Sequence, residues 1–95
     1  MAAMAEATTT QVKEIEYIGS ESYSWKTESK KYRIIDTKNN VFEFCTSTDL
    51  EIKTGDKISF KYSMTNGIRI NWHNKKYGFI NRIRNLKIIK EGEWN

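Results

Sequence analysis

From Val12 onward, apolar and polar residues alternate with a period of two rather than 3.6, which predicts strands and not helices. Ile15 and Tyr17 alternate with Glu14 and Glu16 until Gly19 and Ser20, where the strand is expected to end or bulge. Residues 20–31 lose the alternation, and Tyr23 and Trp25 lie in a polar stretch that reads as a loop or a frayed strand edge. The most secure hairpin follows: strands over 31–36 and 41–46, joined by Thr37-Lys38-Asn39-Asn40, whose asparagines tolerate positive φ. Phe42 and Phe44 take one face of it, Glu43 and Cys45 the other. Leu50 and Ile52 precede a turn at Thr54-Gly55-Asp56, and 47–52 is the nearest approach to a helical turn. A strand over 57–63 sets Ile58, Phe60 and Tyr62 opposite Lys57, Ser59 and Lys61. Thr65-Asn66-Gly67 predicts a type I′ hairpin turn, after which Ile68, Ile70 and Trp72 alternate with Arg69 and Asn71. A polar, basic loop over 73–78 and a last strand over 79–89 complete the pattern.

Five or six short strands without an amphipathic helix imply an all-β domain. One open sheet of this size leaves a wet face and exposed edges, so the expected architecture is a small, closed or partly open antiparallel barrel. Ile58, Phe60, Ile68 and Ile70 are its expected interior. Ninety-five residues make one domain. Residues 1–11 have no basic start and no long apolar core, so they read as a flexible leader, with the barrel over 12–90 and a frayed tail over 91–95. The single Cys45 reads as a small buried hydrophobe; with the lone His73 it supplies neither a disulfide nor a metal site. That usage fits a reducing compartment and a cytoplasmic protein.

Three segments carry a resemblance. The hairpin runs Tyr32-Arg33-Ile34-Ile35-Asp36 to Val41-Phe42-Glu43-Phe44. A connector from Leu50 through Thr54-Gly55-Asp56 then leads into Lys57-Ile58-Ser59-Phe60, and Arg84-Asn85-Leu86-Lys87-Ile88-Ile89 closes the set. In this order residues 12–89 resemble OB-fold oligonucleotide-binding domains, small single-stranded DNA-binding proteins among them. The chain departs from that pattern in having no helix in the connector and no long acidic tail. The resemblance implies an OB-type barrel whose central hairpin can present aromatics to a ligand. Tyr32, Phe42 and Phe44 are therefore open to two roles, core or contact.

Charge sharpens the functional expectation. The net charge is +4, yet nine of the sixteen basic residues lie between Lys57 and Lys90, where no Asp or Glu occurs. A surface of one sign attracts a polyanion. Unpaired bases stack on aromatic rings, so the aromatics decide between single strand and duplex. Trp25 is a stacking platform or a barrel lid, Trp72 a platform or a core residue in the register of Ile68 and Ile70. Tyr77 and Phe79 flank Gly78 beside Lys75 and Lys76, mixing rings and cations in one loop. The expected contact set is Tyr23, Trp25, Lys61, Arg69, Trp72, Lys75, Lys76, Tyr77, Phe79, Arg82, Arg84 and Lys87.

The glycines are isolated and no nucleophile–base arrangement is evident, so the chain is expected to be neither an enzyme nor a cofactor protein. The expected partner is single-stranded nucleic acid, DNA before RNA; a replication or recombination protein and a second copy of the chain are also compatible partners. An anionic membrane would call for an amphipathic helix, which the pattern lacks. The rival expectations are a protein-interaction or inhibitor module of the kind viruses and plasmids carry, and an RNA-binding OB domain.

Overall fold

The computed structural model describes residues 7–24 and 27–89, with side chains for all of these except 21–24 and 27–28. Eight strands form among them: β1 (Thr8–Ser24), β2 (Thr27–Asp36), β3 (Val41–Thr46), β4 (Lys57–Tyr62), β5 (Met64–Thr65), β6 (Ile68–Arg69), β7 (Asn71–Asn74) and β8 (Gly78–Ile89). The main sheet runs β3-β2-β1-β4-β8-β7, and β3 also pairs with β8, so five strands close a ring of hydrogen bonds. The β3–β8 pairing is parallel; the other pairings in the ring are antiparallel. The domain is thus an all-β barrel, as the alternation predicts, with β7 extending one side.

Alternation decides what the barrel encloses. Ile34 on β2, Phe42 on β3, Ile58 and Phe60 on β4 and Ile83 on β8 point inward with Val12 and Ile52, all essentially buried. Phe42 and Phe60 meet with ring centroids 4.7 Å apart, and Tyr62 stands edge-on to Phe60 at 5.7 Å. Tyr32 is buried, and its hydroxyl accepts the Leu50 amide, which ties the connector to the barrel. Phe44 is half-buried against the same core. The three hairpin aromatics therefore take the core role, because rings of this size gain most by leaving water.

Asp36 is the buried polar hub. Its carboxylate accepts bonds from the Thr10 hydroxyl (2.8 Å), the backbone amides of Lys38 (3.0 Å) and Asn40 (2.8 Å), and the Asn40 side chain (3.2 Å). It fixes the β2–β3 turn, where Asn39 takes φ +65° as expected, and anchors the start of β1 to it.

Several expectations need correction. Thr8–Gln11, assigned to the leader, pair with β4 from Phe60 to Lys57 and close the ring. Residues 20–24 and 27–31 take the strand and not the loop alternative: past a register shift at Gly19 (φ +133°), β1 and β2 stay paired out to Ser24 and Thr27. Backbone ladder bonds need no side-chain alternation, so a polar ribbon leaves no pattern in the sequence. Asn66 and Gly67 do take the positive φ values, +54° and +77°, of a type I′ turn, but it joins strands of only two residues. Ile68, placed in the core, is 71% exposed, and Ile70 is only half-buried. The chain leaves the β4 ladder at Ser63, whose amide bonds to Arg82 O and whose carbonyl accepts the Ile70 amide. That detour lifts the β5–β6 hairpin off the barrel. Residues 47–52 form no helical turn; they bend and deliver Ile52 to the core.

Candidate nucleic-acid interface

The residues that alternate with the core set face outward on β2, β3 and β8. Arg33 stands directly opposite Glu43 on β3, and Glu43 is in turn the partner of Arg82 on β8. Glu43 thus occupies a position between two arginine positions of the sheet. Arg33 Nη2 donates to Glu43 Oε2 at 3.2 Å, with 16% and 5% of the two side chains exposed. The Nε groups of both Arg33 and Arg82 are buried with no hydrogen-bond partner.

Aromatic rings cover these arginines. Arg33 lies 4.4 Å from the Tyr77 ring centroid and Arg82 lies 5.3 Å from that of Trp72, within the range of cation–π attraction. Trp72 pairs across the β7–β8 hairpin with Ile80, which pairs with Val41 on its other side. Ile80 and Val41 are buried yet lie outside the core cluster, so this is a second, outer layer. Trp72 belongs to that layer and not to the barrel interior.

The hairpin tip is shaped by Asn74, whose side-chain oxygen accepts the amides of Lys76 (2.8 Å) and Tyr77 (3.1 Å). This local bond, typical of asparagine in turns, leaves the side chains of Lys75 and Lys76 exposed, and Gly78 supplies the φ of +78° needed to re-enter the strand. On the opposite side of the hairpin from Trp72, Phe79 is 67% exposed and meets His73 edge-on at 5.1 Å.

The expected contact residues therefore fall into groups. Trp72, Tyr77 and Arg82 come together with Arg33; Lys75, Lys76 and Phe79 share the hairpin tip. Lys61, Arg84 and Lys87 gather on the β4–β8 face instead. Arg69 is apart from both, its guanidinium 3.8 Å above the Tyr62 ring. Tyr23 lies on β1 with its side chain outside the description, and Trp25 lies outside the described residues altogether. Arg33, Glu43 and His73 belong to the site but not to the expected set. The turn at 37–40 carried the missing signal, because it sets the register that places Arg33 opposite Glu43.

Four of the acids make contacts within the chain. Asp36 and Glu43 are engaged as described, Asp49 pairs with Lys30, and Asp56 accepts the Lys53 amide. Lys61, Arg69, Lys75, Lys76, Arg82, Arg84 and Lys87 have no carboxylate partner among the described residues. No family model matches this chain, and neither a curated protein nor a solved structure does.

Proposed function

We propose that the protein binds single-stranded nucleic acid across its β7–β8 hairpin and the adjoining outer face of β2 and β3. The observation that carries this reading is the set of seven cations over 61–87 that have no carboxylate partner among the described residues, set beside accessible or half-covered rings. Unneutralised cations attract phosphates; Trp72 and Tyr77 on the outer face, and Phe79 on the other side of the hairpin tip, offer rings to unpaired bases. An OB-type reading of the barrel is supported by its five-membered ring and its one parallel closure, β3 with β8. In that fold the faces of the second and third strands and the neighbouring loops take oligonucleotides.

Tryptophan fluorescence titrations with oligo-dT, oligo-U and duplex DNA at several salt concentrations test the reading. The expected result is tighter binding of single strands than of duplex, weakening as salt rises. Phe79→Ala should cost about 1–3 kcal/mol of affinity while the salt slope and melting temperature stay unchanged. Duplex bound equally well at physiological salt would remove the stacking argument. A second reading, a protein-docking module, is favoured by Ile68, an apolar side chain left largely exposed beside the β5–β6 turn. In that case none of the three nucleic acids gives saturable binding.

A further inference from the structure

Beyond Arg82, β8 pairs with β4, and its charged outward side chains there are Arg84 and Lys87. Residues three apart in a regular strand face opposite ways. Here they share a face because the ladder is broken between them. Between the pairs Ser59–Lys87 and Lys61–Arg84, β4 has Phe60 alone while β8 has Asn85 and Leu86. Asn85 takes φ +54°, the left-handed first residue of a β-bulge. The extra residue turns Leu86 onto the core beside Phe60 and returns Lys87 to the outer face beside Arg84 and Lys61.

This arrangement is unfavourable without a ligand. Lys61 and Arg84 are directly opposite across an antiparallel pair, where like charges repel. Lys87 is their near neighbour, and none of the three has a carboxylate partner among the described residues. The adjoining stretch of β1 adds the outward Thr9, opposite Ser59, and no acid. A recess of about 410 Å³ opens at the bulge, lined by Ser59, Lys61, Asn85 and Lys87, with Ala7, Phe60 and Leu86 as its apolar wall. Its donors are ammonium, amide and hydroxyl groups, the set that phosphate oxygens accept from.

We propose that this recess seats a backbone phosphate of the bound strand, as a second anchor separate from the aromatic hairpin. The inference rests on the single-strand reading above. A phosphodiester is favoured over an acidic peptide because Arg82 and Arg84 follow one another on the same face of β8. They lead from the rings that would hold bases to the recess.

The test titrates the native chain and the double variant Lys61→Gln, Lys87→Gln with oligo-dT of about 6 and about 16 nucleotides, within the range one such barrel covers. The longer oligonucleotide should bind the variant about fivefold or more weakly at low salt, with the salt slope flattened by about 0.7, the value for one single-strand phosphate contact. The shorter one should bind both proteins alike. Arg84→Gln serves as a second variant, and the melting temperature of each should hold or rise, since a repulsion is relieved. Equal loss for both lengths, or none for either, would overturn the recess while leaving the hairpin site standing. So would poly-glutamate that displaces the 16-mer from the native chain but not from the variant. If the native chain binds neither length, the single-strand reading itself fails and takes the recess with it.

Discussion

At the scale of single residues, two acids show how place sets energetic weight. Asp36 is buried and accepts four hydrogen bonds, whereas Asp49 holds one exposed ion pair with Lys30. Asp36→Ala should cost about 2–3 kcal/mol in urea denaturation, because amides are left buried without partners. Asp49→Ala should cost about 1 kcal/mol or less. Glu43 is a sharper case, since it pairs with Arg33 on the proposed interface. Glu43→Gln keeps the shape but strands a mostly buried guanidinium, and should lower stability by about 2–3 kcal/mol. The same change adds one positive charge to the face, so affinity for oligo-dT at low salt should rise. Stability and affinity moving in opposite directions is the result that checks the assignment. The sequence held Arg33 and Glu43 in plain view, but charged residues in a strand ordinarily read as solvent-facing. Only the rings of Tyr77 and Trp72, brought over by a later hairpin, make this part of the face an interior of its own.

At the scale of elements, legibility followed the side-chain pattern. β2, β3 and β4 each have a buried face and a wet one, so alternation and turn residues located them closely. The far half of the β1–β2 ribbon has no such contrast, and its pairing was invisible for that reason. The Ile68-Ile70-Trp72 alternation misled, because backbone bonds at Ser63 and Ile70 redirect the chain before the pattern can be used. The ribbon has a dynamic consequence. Only from Lys30 onward does β2 gain β3 as a second neighbour. The amides of residues 21–24 should therefore exchange with solvent far faster than those of Ile34 and Ile58, as measured by hydrogen exchange, because small local openings suffice to expose them.

At the scale of the whole molecule, the division between acids and bases was readable by counting, but its geometry was not. The basic half of the chain supplies β4, β7 and β8, and the ring closure wraps these into two cationic faces joined by one strand. The contribution of the hairpin face can be isolated. Replacing Lys75 and Lys76 by Ala should flatten the dependence of log K on log salt by about 1.4 for single-stranded ligands, with the melting temperature unchanged. An unchanged slope would move the phosphate track to Arg82, Arg84 and Lys87. The bulge in β8 carries a consequence for chain length. Asn85 is the one residue by which β8 exceeds what its pairing with β4 needs. Removing it would leave Ile83, Leu86 and Ile88 turned inward and Arg84, Lys87 and Ile89 turned outward, now in unbroken alternation. Most deletions within a strand exchange inside for outside; this one would not. Position 85 is thus where relatives of the protein could differ by a residue and keep both the barrel and its charges, losing only the bend that opens the recess.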